Sequence, residues 1–139
     1  MSLPTVEAAR VDALPVFSDA RGALTVVEFS RSVPFPVVRL FYISGVPTGT
    51  SRGGHGHYRC NQYVICQSGR LQVLLADGVH ERSFELSAGQ AILIESGIFA
   101  TQTYLDADSA ALVLCDRPFE ADDYIDDMDT LLKYRAEKA

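Results

Sequence analysis

Short apolar runs, rich in β-branched and aromatic residues, recur along the chain with turn residues between them. That spacing predicts strands. The runs fall at 23–29, 37–43, 61–67, 70–75, 79–86, 91–95, 100–105 and 110–115. Asp77-Gly78 reads as a hairpin turn, and 79–86 leaves it with apolar and polar positions alternating. Only 120–139 reads as helix, with acidic residues early and Lys133, Arg135 and Lys138 late, as the helix dipole favours. Many short strands and one terminal helix predict an all-β fold, a closed barrel or jelly roll, in a single domain over 1–139.

Charge and composition narrow the partners. A net charge of −6 and a pI near 4.9 argue against nucleic acid. They leave room for a nucleotide ligand, because a few local arginines can hold a phosphate. No apolar run reaches the roughly 18 residues of a membrane helix. Residues 1–10 lack the basic-then-apolar pattern of a secretion signal. Cys60, Cys66 and Cys115 are odd in number and dispersed, which fits a reducing compartment. The expectation is a cytoplasmic protein with no membrane partner.

The main chemical signal is Arg52-Gly53-Gly54-His55-Gly56-His57. Alternate residues of a strand share a face, so His55 and His57 are either half of a metal site or a pair of proton carriers. The glycine skeleton resembles the cupin pattern: His55, His57, Gly69, Gly89 and Gly97 fit it. The remaining ligand positions depart from it. Gln62 stands in the Glu slot, Glu95 in the Pro slot and Ala100 in the slot of the last His. Two imidazoles and an amide are a poor divalent-metal set, so no metal or other cofactor is expected. Free imidazoles titrate near neutrality and can move protons between adjacent substrate atoms. His80, just after the Asp77-Gly78 turn, reads as solvent-exposed.

An ordered set of segments resembles one family, the WxcM-like cupins that act as nucleotide-sugar 3,4-ketoisomerases. The segments are Asp19-Ala20-Arg21-Gly22-Ala23-Leu24, Pro34-Phe35, Arg39-Leu40-Phe41-Tyr42-Ile43, the Arg52–His57 stretch and Asp123-Tyr124-Ile125. The resemblance implies a cupin jelly roll that forms a homodimer by exchanging N-terminal strands, and a dTDP-linked 4-keto-6-deoxy sugar as substrate. It also implies metal-free transfer of the keto group from C4 to C3 through an enediol. His57 would carry the carbon-bound proton and His55 would serve the oxygens. The chain departs from the family pattern at Tyr58 (Lys), Asn61 (Glu), Phe99 (Trp) and Ala100 (His). Two alternatives stay open, a non-catalytic dTDP-sugar-binding cupin and a 3,5-epimerase-like enzyme.

Further substrate contacts are expected among Arg21, Arg39 and Arg52, whose guanidinium forks match phosphate oxygens. Arg39 interrupts an apolar run and needs a buried partner. Tyr42, three residues on, falls on the opposite strand face unless a bulge intervenes. Gln62, Gln102 and Tyr104 are read as substrate contacts, the last two sharing a face. Tyr63 is read as core. Phe41 and Phe99 could stack on a base. The acidic run from Asp122 to Asp129 lacks EF-hand spacing and reads as a solvated face.

Overall fold

A computed structural model describes residues 2–139. Its strands are β1 (Val11–Ala13), β2 (Val16–Asp19), β3 (Gly22–Thr25), β4 (Arg39–Ile43), β5 (Thr50–His57) and β6 (Gln62–Ser68). They continue with β7 (Arg70–Ala76), β8 (Glu81–Ser87), β9 (Gln90–Ile94), β10 (Phe99–Tyr104), β11 (Ala110–Cys115) and β12 (Tyr124–Ile125), and the helix α1 (Met128–Lys138) ends the chain. Two five-stranded antiparallel sheets face each other, in the orders β1-β9-β6-β11-β4 and β12-β5-β10-β7-β8. This is the expected all-β jelly-roll barrel with a short C-terminal helix.

Alternation builds the barrel. In β7, Leu71, Val73 and Leu75 point inward and Arg70, Gln72 and Leu74 outward. The inner face joins Val64, Cys66, Ile92, Tyr104 and Val113 in one core. β6 reads as a continuous apolar run because its outer face is covered too. Tyr63 and Ile65 pack there with Leu14, Val33, Ala91 and Leu114. Tyr63 is the core residue expected, its hydroxyl donating to Asp12 at 2.9 Å. His80 is exposed, as expected.

Three expectations are corrected. The predicted strand 23–29 ends at Thr25, and with β2 it forms a hairpin outside both large sheets. β5 was not among the predicted runs, because glycine dilutes its β-branched signal. The helix begins at Met128 rather than at 120, with Asp127 as its cap accepting from the Thr130 amide at 2.7 Å. The preceding Tyr124–Ile125 pairs with the free edge of β5 instead. Pairing with an open edge outweighs local helix propensity there.

Candidate active site

β5 carries the histidines, and one irregularity sets its faces. Ala100 of β10 pairs with His55, but Thr101 pairs with Gly53, which leaves Gly54 as an extra residue. This is a β-bulge. Gly53 and Gly54 both adopt positive φ, +87° and +72°, a region that suits glycine. Directly paired residues share a face. Arg52, opposite Gln102, therefore joins His55 and His57 on the inward face, with Tyr104 opposite Thr50. Gly56 fits between the histidines because a Cβ there would lie 2.9 Å from the Ile98 carbonyl oxygen.

The imidazoles meet edge to face, with centroids 5.1 Å apart. Tyr124 lies against both, 5.0 Å from the His55 ring and 4.7 Å from that of His57. It stands directly opposite His57 in the β12–β5 pair. The sequence reading had this tyrosine as part of a family motif and missed it as a site residue. Its backbone signal was weak, since a two-residue strand leaves no periodicity to read.

The backbone of His57 is held from behind. Its carbonyl accepts from the Gly97 amide at 2.7 Å, and the Gly97 carbonyl accepts from Arg135 of α1 at 2.7 Å. Tyr58, where the family pattern has Lys, meets Tyr134 of α1 edge to face, with ring centroids 4.9 Å apart. Asn61, another departure, is a clamp. It bonds the Asp116 carboxylate through its amide nitrogens and accepts from the Ser96 amide at 2.8 Å.

Burial disfavours the protonated form of both histidines. Burial brings His57 down to about 4, and His55 and Arg39 push the same way, while Asp123 and Asp116 oppose. Burial also lowers His55, against a hydrogen bond to the Gly53 carbonyl and the charge of Asp126. His57 Nε2 is buried with no partner. A neutral imidazole with a free nitrogen is a proton carrier in waiting.

Arg39, Cys115 and Gln62 stand side by side across β4, β11 and β6. Arg39 lies between the rings of Phe41 and Phe119, at 5.6 and 5.9 Å, and its Nε is also buried without a partner. Its Nη2 approaches the Cys60 sulfur at 4.0 Å, and Gln62 Nε2 the Cys115 sulfur at 3.8 Å. A hydrogen bond from Cys60 leads in bringing the Cys115 thiol down to about 7, burial opposes it, and the Arg39 charge adds to the lowering. Cys60 is pushed up, as the partner that keeps its proton.

The predicted contacts thus divide. His55, His57, Arg52, Gln102 and Tyr104 share the inward face of one sheet, and Arg39 and Gln62 that of the other. The Tyr104 hydroxyl is buried without a partner. Tyr42 is 71% exposed on the outer sheet face, opposite to Arg39, because β4 runs without a bulge. Arg21 lies outside both inward faces in the single chain. It sits at the tip of the β2–β3 hairpin, paired with Asp19 at 2.6 Å. The residues present do not fit a mononuclear metal. Gln62 offers an amide, Ala100 a methyl, and no group of three or more His, Cys, Asp or Glu converges among the described residues.

The chain is similar to known proteins over most of its length. The chain is 28% identical over 120 residues to the TDP-4-oxo-6-deoxy-alpha-D-glucose-3,4-oxoisomerase of Aneurinibacillus thermoaerophilus, covering 85% of this chain and 86% of that one. The TDP-quinovose 3,4-ketoisomerase WlaRB of Campylobacter jejuni superposes with a TM-score of 0.82 at 26% identity, covering 91% and 98%. The sugar 3,4-ketoisomerase QdtA of Thermoanaerobacterium thermosaccharolyticum, in complex with TDP, superposes at 0.85 with 24% identity, covering 94% and 96%. The profile described as FdtA, WxcM-like, C-terminal matches residues 7–136, and the chain belongs to that family.

Proposed function

We propose that this protein is a 3,4-ketoisomerase acting on a dTDP-linked 4-keto-6-deoxy sugar, the chemistry its relatives' names carry. The observation that supports this most is the unpartnered Nε2 of His57, buried in a neutral ring beside a second imidazole. The C3 proton passes to a neutral imidazole as an enediol forms. In the same step the C4 oxygen takes a proton; C4 then takes a proton of its own as the C3 hydroxyl gives up its proton to become the new carbonyl. No electrons are gained or lost overall. The nearby Arg39 guanidinium offsets charge developing on the enediol oxygens. As that charge grows, the imidazolium becomes easier to form.

The test is NMR of dTDP-4-keto-6-deoxyglucose with the enzyme in heavy water. A 3-keto product carrying deuterium at C4, or recovered 4-keto substrate carrying it at C3, supports the proposal. Label at C5 marks an epimerase, and binding without exchange marks a binding protein. The substitution His57→Asn is expected to abolish turnover and keep dTDP binding. Unchanged turnover would remove the proton-carrier role.

The working unit we propose is a homodimer. The β2–β3 hairpin exposes Phe17 and Leu24 (65% and 60%), and the edge strand β4 exposes Leu40 and Tyr42 (48% and 71%). Open edges and grouped apolar side chains mark surfaces that pair with another chain, and two-fold pairing is the usual solution. Exchange of the hairpin would give Arg21 a route to the partner's site. Three free cysteines suit the reducing cytoplasm.

A further inference from the structure

The stretch 120–125 is fastened more firmly than a chain terminus needs. Asp123 is 2% exposed. Its carboxylate accepts from the backbone amides of Arg59 at 2.7 Å and Cys60 at 3.2 Å. The Arg59 side chain closes on Asp122 at 2.9 Å and on Glu120 at 3.6 Å. The Tyr58 amide donates to the Asp123 carbonyl at 2.9 Å. All these contacts fall on the residues that directly follow His57. Their common result is that Tyr124 is placed opposite His57, with its ring against both imidazoles.

From this geometry we infer that Tyr124 is a positioning residue of the proposed ketoisomerase. The Asp123 clamp and the β12–β5 pairing hold its ring so that it fixes both imidazole planes and shields them from water. This rests on the histidines being the proton carriers, as proposed above. A ring that can tilt loses the near-attack geometry on which proton transfer depends. A ring reached by water gains stabilisation of its charged form. The charged groups facing His57 are Arg39 of β4, Asp116 after β11 and Asp123 of the tail; Asp126 acts on His55. None is removed by changing Tyr124, so a shift reports the ring itself.

The test uses the full chain with Tyr124→Ala and Tyr124→Phe. Imidazole NMR follows titration directly, with His80, outside the cluster, as internal control. In Tyr124→Ala, the His57 midpoint is expected to rise by one pH unit or more. Its kcat should fall tenfold or more, with KM within about threefold. Phenylalanine keeps the ring, and is expected to restore the midpoint and most of kcat. If Tyr124→Ala does not fold, Tyr124→Leu carries the same readouts. Unmoved midpoints with unchanged kcat would overturn the inference. So would Tyr124→Phe losing as much as Tyr124→Ala, which would assign the chemistry to the hydroxyl. Failure of the underlying proposal is read separately, as turnover that survives His57→Asn. The NMR midpoints still report on Tyr124 in that case.

Discussion

Arg52 and His55 face the same way although they are three residues apart, because Gly54 is an extra, unpaired residue between them on β5, while their cross-strand partners Gln102 and Ala100 are only two apart. In a regular strand this separation would send one of them outward. The site as a set of five inward residues depends on one extra glycine.

Deleting Gly54 is therefore expected to restore regular pairing and turn either Arg52 or the histidine pair outward. Turnover should fall at least 100-fold while the fold survives. Circular dichroism and the rate with dTDP-4-keto-6-deoxyglucose check both halves. Gly54→Ala is milder, since a Cβ there meets nothing within 4 Å and only the positive φ resists it, at about 1 kcal/mol. Gly56→Ala places a Cβ 2.9 Å from the Ile98 carbonyl, and should destabilise by roughly 1–3 kcal/mol.

Burial holds His57 at about 4 in the folded chain, against an ordinary value of 6.5. Above 6.5 both folded and unfolded states have a neutral ring. Between 6.5 and 4 the unfolded chain takes up a proton that the folded chain refuses. Stability must then fall as pH falls through that window, by up to about 3 kcal/mol. Denaturant unfolding at pH 7 and pH 4.5 measures it, with His57→Asn as the reference that lacks this loss. His55, lowered in the same direction, adds to the effect. An equal loss in wild type and variant would show that the ring is open to water.

The sequence carried the fold well where packing has a period. The strands at 70–75 and 110–115 were legible because one face meets the core and the other meets water or a second layer. The jelly roll followed from their number and spacing. The histidine pair was legible too, since residue type and spacing suffice for it. Two things were hidden. β5 owes its strand to neighbours on both sides rather than to its own glycines. Tyr124 reaches the site through a clamp made by Asp123, 63 residues from its backbone donor Cys60. The outward turn of Tyr42 was legible, because regular alternation along β4 puts it on the face opposite Arg39.

The hairpin gives a prediction about assembly. Leu24→Glu on β3 places a charge on a side chain 60% exposed in the single chain, so it should leave the monomer's stability within about 0.5 kcal/mol. In a dimer that buries this face, the same charge is costly. Light scattering is expected to give about 30 kDa for the native chain, twice its 15.2 kDa, and a monomer for the variant. If Arg21 acts across the interface, turnover should fall with dimer content. A native chain that stays monomeric at micromolar concentration would end the exchange proposal.

Ala100 stands directly opposite His55, on the inward face. In cupin spacing this is the place of the last histidine ligand, and Gln62 holds the place of the carboxylate. The double change Ala100→His with Gln62→Glu should therefore convert the proton-carrier site into a four-ligand metal site. Cobalt(II) or zinc(II) is expected to bind at one equivalent, at least ~100-fold more tightly than to the native chain. Calorimetry measures the affinity, and cobalt absorption reports the geometry. Bound metal should suppress turnover, because a ligated imidazole has no lone pair left for a proton, and a chelator should restore it. Affinity no better than the native chain's would mean that positions 62 and 100 do not converge on His55 and His57. The vacancy opposite His55 would then be space for substrate rather than a lost ligand position.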